Sequence, residues 1–244
     1  GLIHEIISGS DLHRSDTLIS SADSFNGKLK DLRVCLPREY FWTDVDEEVE
    51  AAVRSSAQIF SDLNLWVDEI SLKCLEDLSA WRAGPSTTAV ESYFFHREEL
   101  EKNFSKFDPI VSMRMLEGRN ISAVEFLGQR DKLKDIRAAA LRELELVDFL
   151  ITPTTPFPAL PLSEVDNDEM YHKINGLCLR NTSAVNLLGL CAISLPCGLT
   201  RGGLPIGLQL IGKPHDEKRL LQLAYAYEQS LGPLNSHPEL SAPH

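Results

Sequence analysis

The stretch that most constrains this chain is Asp148-Phe149-Leu150-Ile151-Thr152-Pro153-Thr154-Thr155-Pro156-Phe157-Pro158, where a short apolar run ends in closely spaced prolines. A run of that length bounded by turn formers reads as a buried strand. Proline has no backbone donor, so Pro153, Pro156 and Pro158 must stop hydrogen-bonded structure there. The result is a rigid loop at the carboxyl end of a strand, the place where open α/β sheets put their sites.

Other segments supply the rest of such a sheet. Leu32 to Leu36, bounded by Pro37, reads as a second buried strand, and Trp66 to Leu72 alternates as a third. Between them Val49, Ala52, Val53, Ala57 and Phe60 keep to one face of a helix over 44–64. Thr43 with Asp46 resembles a capping box, and Asp44, Glu47 and Glu48 suit a helix N-terminus. Strand, helix and strand at this spacing predict a parallel βαβ unit. Ala192 to Leu199 and Leu204 to Ile211, joined by Thr200-Arg201-Gly202-Gly203, predict an antiparallel hairpin. Further helices are predicted over 86–103, over 122–147 with Leu133, Ile136, Ala140, Leu144 and Val147 inward, over 179–188 and over 216–231. His96, beside Arg97 and Glu98, reads as a surface group.

At 244 residues the chain holds one large domain or two small ones, with material for a sizeable core. Lys and Arg number 24 against 36 Asp and Glu, a net charge of −12 that repels phosphate backbones and anionic lipid, so nucleic acid is not an expected partner. No stretch reaches 18 consecutive apolar residues, and Gly1-Leu2-Ile3-His4-Glu5 lacks the basic start of a signal peptide, so no membrane partner is expected. Cys35, Cys74, Cys178, Cys191 and Cys197 form no CxxC pair and read as reduced, buried small hydrophobes, which suits a cytoplasmic location. Phosphate-loop, dinucleotide, zinc-protease and GxSxG motifs are absent, and no metal-ligand spacing is found.

Combined segments carry a sharper signal. Asp148 through Pro156, then Asn181-Thr182-Ser183-Ala184-Val185-Asn186-Leu187-Leu188-Gly189-Leu190, then Ser194-Leu195-Pro196-Cys197-Gly198 and Leu204-Pro205-Ile206-Gly207-Leu208-Gln209-Leu210-Ile211-Gly212 closely resemble the C-terminal half of the amidase signature family. Upstream, Ile6-Ile7-Ser8-Gly9-Ser10-Asp11 with Asp16, and Gly118-Arg119-Asn120-Ile121-Ser122 with Arg130, resemble that family's connecting and middle segments. The resemblance implies an α/β fold, a three-layer α/β/α arrangement with a mixed sheet. Residues 1–28 are then a truncated helix and surface connection, 29–234 the C-terminal part of the amidase domain, and 235–244 a flexible tail.

The resemblance also implies hydrolysis of a carboxylic amide to acid and ammonia through a seryl acyl-enzyme, without metal or organic cofactor. The family's Ser, cis-Ser and Lys lie in a Gly/Ser-rich stretch that this sequence lacks; Ser8-Gly9-Ser10 and Gly84-Pro85-Ser86 only imitate it. No catalytic residue is therefore assigned, and the N-terminal half of the same enzyme is the expected partner, with a homo-oligomer as a further possibility. Positions matching Thr182 and Val185 line the acyl-substrate channel in relatives. Leu179, Thr182 and Val185 are three apart and share a helical face, so these three are the candidate substrate-binding residues, against the alternative that they are ordinary helix core. Thr154 and Thr155 are further candidates. The glutamine-using branch has an acidic residue where Leu179 stands, so a more apolar amide is expected here. Cys191 replaces a proline common in relatives. The rival reading is a non-catalytic module, derived from an amidase, that binds a ligand or partner.

Overall fold

Alternation along the strands sorts the apolar side chains into two separate cores. In β1 (Arg33–Pro37), Val34 and Leu36 enter one core and Cys35 the other; in β3 (Phe149–Pro153), Phe149 and Ile151 part from Leu150 in the same way. Side chains alternate across a strand, so both faces of this sheet need a cover. The protein is seen in a computed structural model that describes residue 29, residues 31–165 and residues 167–232. The expected truncated helix and connection at 1–28 and the tail at 235–244 lie entirely outside the described residues.

After β1 come α1 (Glu47–Asp62), β2 (Trp66–Ile70), α2 (Cys74–Arg82), α3 (Thr87–Asn103), α4 (Pro109–Glu117) and α5 (Ala123–Glu143). β3 is followed by α6 (Asp168–Leu188), β4 (Cys191–Leu199), β5 (Pro205–Gly212) and α7 (Glu217–Leu231). The five described strands lie in the order β2-β1-β3-β5-β4, with β1 parallel to β2 and β3, and β5 antiparallel to β3 and β4. The expected βαβ unit and hairpin are both present. Val53 and Phe60 of α1 and Leu223 and Tyr227 of α7 cover one face. Leu75 and Leu78 of α2, Leu133 and Ile136 of α5, and Ala184 and Leu188 of α6 cover the other. The fold is a three-layer α/β/α arrangement on a mixed sheet. No described helix is long and apolar enough to cross a membrane.

Local chemistry sets the helix ends. α1 starts at Glu47, and its cap is Asp46, whose carboxylate accepts the backbone N–H groups of Glu48 and Val49. The Thr43 capping box does not form, because Tyr40 and Asp44 take positive φ (64° and 50°) and the chain is still turning at Thr43. α5 does carry a capping box, between Ser122 and Glu125, but ends at Glu143 rather than Val147. There the chain must turn to enter β3, and Leu144 and Val147 stay buried in that turn. α6 begins at Asp168, capped by the Asn167 side chain, well before the expected Leu179. It ends at Gly189, whose φ of 71° places it in the left-handed region that closes a helix.

Candidate functional site

Because β1 and β3 are parallel, their carboxyl ends open side by side. The loop after β1 is tied to the loop after β3 where the Asp46 N–H donates to the Pro156 carbonyl at 2.8 Å. Asn181 of α6, wholly buried, then donates its side-chain amide to the carbonyls of Pro153 (2.8 Å), the last residue of β3, and Phe41 (3.3 Å), in the loop after β1. One residue earlier, the Arg180 guanidinium donates to the carbonyls of Thr43 and Phe41. The Tyr40 hydroxyl donates to the Arg180 carbonyl (3.4 Å), and Arg82 of α2 donates to that hydroxyl (3.0 Å) and to Ser183 Oγ (2.6 Å). The start of the expected pocket helix is thus clamped over the ends of two strands.

Beneath α6 the core turns polar toward this end of the sheet. Thr152 and Gln209 are both buried, and Gln209 Nε2 donates to Thr152 Oγ1 at 3.1 Å. Farther across, Thr154 Oγ1 and Ser194 Oγ share a hydrogen bond of 2.7 Å. Gly207 lies against this pair: a Cβ there would stand 3.0 Å from both oxygens, so any larger residue would press on the contact. Ala192, Ser194 and Pro196 of β4 are exposed, which leaves the polar row open to solvent at that edge.

The three residues chosen for their common helical face sit at different depths. Leu179 is 47% exposed, Thr182 is half-buried with its hydroxyl toward the Leu179 carbonyl (3.4 Å), and Val185, at 3%, packs in the core with Leu150 and Ile211. An open cavity of about 700 Å³ lies nearby, bounded by Glu39, Tyr40 and Thr43, by α2 residues such as Leu75 and Glu76, and by Arg180; Thr182, Val185 and Leu179 are not among its walls. Thr155 donates to the Phe157 carbonyl, a turn contact. Ser86 accepts the Ala89 N–H as the cap of α3, so the Gly84-Pro85-Ser86 imitation of a nucleophile stretch is structural. Ser8-Gly9-Ser10 lies outside the described residues.

Burial raises the pKa of all five thiols, Cys74 to about 12 with help from the nearby Glu143 carboxylate and Cys197 to about 11. Only Cys35 and Cys74 are fully buried, the other three being half-buried, and all five are unpaired. Cys191 donates its S–H to the Lys213 carbonyl (3.1 Å). Arg180 is shifted the opposite way: burial, aided by Arg82, lowers its pKa against the pull of Tyr40 and Asp44. Sequence reasoning places Asn181 and Gln209 in the matching segments without a role, and passes over Arg180 and Tyr40. The available signal is a polar pair at the start of an otherwise apolar helical segment.

Comparison with known proteins agrees with this architecture. The 2-amino-5-chloromuconic acid deaminase of Comamonas testosteroni is 33% identical over 217 residues, covering 88% of this chain and 46% of that protein. A glutamyl-tRNA(Gln) amidotransferase subunit from Thermodesulfovibrio yellowstonii is 32% identical over 265 residues, covering 94% and 52%. The chain thus spans about half the length of these curated relatives. Among solved structures, the allophanate hydrolase of Kluyveromyces lactis matches with a TM-score of 0.74 at 25% identity over 82% of this chain and 32% of that one. The 6-aminohexanoate cyclic dimer hydrolase shares the fold, with a TM-score of 0.75 at 23% identity over 89% and 49%. With the family model described as Amidase matching residues 2–221, on top of the clamped helix and its strand ends, the chain belongs to the amidase family.

Proposed function

We propose that this chain is the C-terminal portion of an amidase that hydrolyses a carboxylic amide to the acid and ammonia through a seryl acyl-enzyme. The observation that carries the reading is the clamping of α6 by Asn181 at the carboxyl ends of β1 and β3, beside the open polar edge of β4. That arrangement makes a wall for a small substrate. A serine hydroxyl attacks an amide carbonyl only when a base takes its proton, and the resulting oxyanion needs backbone N–H donors. In the family that apparatus is a Ser, cis-Ser and Lys set, which the N-terminal half of the enzyme supplies. The Ser attacks the carbonyl carbon, the C–N bond breaks as the amine takes up a proton, and water then releases the acid. No metal or organic cofactor enters these steps.

Leu179 and Thr182 form the substrate wall, and Val185 supports it from beneath. With Leu179 in place of an acidic residue, the pocket suits an apolar amide better than glutamine. The relatives support amide chemistry in general while differing in substrate. Joining this chain to its N-terminal half and assaying a panel of primary amides tests the reading. Turnover that needs both halves, with KM raised about tenfold by Thr182→Ala and kcat little changed, is the expected outcome. Turnover by these 244 residues alone, abolished by changing one residue within them, would overturn it.

A further inference from the structure

The cavity beside α2 is lined by one cation, Arg180, which pairs with no carboxylate among the described residues. Arg180 lines it, and the three hydrogen bonds of its guanidinium go to neutral acceptors: the Asn181 side-chain oxygen and the carbonyls of Thr43 and Phe41. A guanidinium has five N–H donors, so one on each terminal nitrogen remains. Arg82 lies close by and also donates only to neutral oxygens, those of Tyr40, Arg180 and Ser183. Among the described residues neither arginine forms an ion pair with a carboxylate. Asp44 acts on Arg180 only from beyond that range. Arg180 is half-buried while Arg82 is exposed, and a cation partly withdrawn from water is costly unless an anion joins it.

We propose that this cavity is a binding site for a small carboxylate, anchored by Arg180, the cation among its lining residues. A planar carboxylate matches the fork of a guanidinium, and the volume of about 700 Å³ suits a small molecule. The acidic lining residues specify the rest of the ligand. Glu39 and Glu76 also line the cavity, and Glu39 is held by accepting the Leu72 N–H at 3.4 Å. A second carboxylate would be repelled by these two residues, whereas an amide or amine N–H would be accepted. The loop carrying Tyr40 is fixed in advance, the Tyr40 hydroxyl being bonded to Arg82 and to the Arg180 carbonyl. The site rests on the cavity and its charges rather than on amide hydrolysis, so its test is a binding measurement.

The probes are succinamate, which has one carboxylate and one amide, succinamide, which is neutral, and succinate, which has two carboxylates. Titration calorimetry on this chain is expected to give saturable binding of succinamate, with both other compounds at least about tenfold weaker. Arg180→Met should weaken succinamate by about tenfold or more, and Arg82→Met by less. Circular dichroism checks that each variant folds; if Arg180→Met does not, Arg180→Lys, which keeps the charge and loses the fork, replaces it with several-fold weakening expected. Absence of saturable binding, equal binding of succinamide and succinamate, or undiminished binding by a folded Arg180 variant would each overturn the proposal.

Discussion

Asn181 ties three parts of the site together, since its amide joins the loop after β1, the end of β3 and α6. Removing a buried donor leaves its acceptors dry and unpaired, a loss of about 1–3 kcal/mol. Asn181→Ala should therefore lower the unfolding free energy from urea titration by that amount, and a loss below about 0.5 kcal/mol would mean that solvent already satisfies both carbonyls. Asp148, at the mouth of β3, offers a pH test. Burial by itself would raise its pKa, but the Arg33 N–H and the Arg219 guanidinium (2.6 Å) outweigh burial and hold it below its usual range. A depressed carboxylate stabilises the folded state fully above its unfolded value, about 3.9, and loses that contribution as pH falls through the folded value. Arg219 is 43% exposed, so solvent screens much of the pair. The stability advantage of the protein over Asp148→Asn should accordingly shrink below about pH 4. A difference unchanged from neutral pH into that range would contradict the assignment.

At the scale of elements, α6 shows how local conformation sets the sign of a substitution. Gly189 closes the helix at φ 71°, so Gly189→Ala should cost about 1 kcal/mol or more, whereas at Gly176, where an added Cβ meets nothing within 4 Å, Gly176→Ala should stabilise by about 0.5–1 kcal/mol. Thermal melts of the two variants should move in opposite directions, and a common direction would mean that packing rather than backbone preference governs both. The same helix marks the limit of sequence reading. Its second half was legible because Ala184, Val185 and Leu188 alternate with polar residues at helical spacing. Its first half was not, because little of that stretch is buried and periodicity reports only a buried face. β1, β3 and the hairpin were legible because their runs are short, apolar and bounded by proline or glycine. α2 has no side-chain cap and only nine residues, whereas α4 carries a readable start, Asp108 before Pro109, that a search for apolar periodicity passes over. In the site, spacing singled out the 179/182/185 face but could not give depth. Asn181 stayed hidden because its partners are backbone carbonyls 28 and 140 residues away.

For the molecule as a whole the question is what meets its uncovered surfaces. Among the described residues β2 and β4 are the sheet edges, Trp66 of β2 is 68% exposed, and one face of β4 presents Ala192, Ser194 and Pro196 to solvent. Phe94, Phe95, Met113, Val124 and Leu127 add exposed apolar surface on α3, α4 and α5. An open edge with apolar neighbours is a template for pairing. If about 400 Å² of that surface were covered, the gain at about 25 cal/mol per Å² would be roughly 10 kcal/mol, an upper bound because the unfolded chain is itself partly collapsed. A gain of that size rivals the stability of a domain. The net charge of −12 opposes self-association by mutual repulsion, and salt screens that repulsion. Sedimentation velocity on the chain by itself should therefore show association that strengthens with protein concentration and with ionic strength. Adding the proposed N-terminal half should replace it with a defined 1:1 species of higher melting temperature. A 27.2 kDa monomer at every concentration and salt level, melting cooperatively and unaffected by that half, would show that these surfaces need no cover.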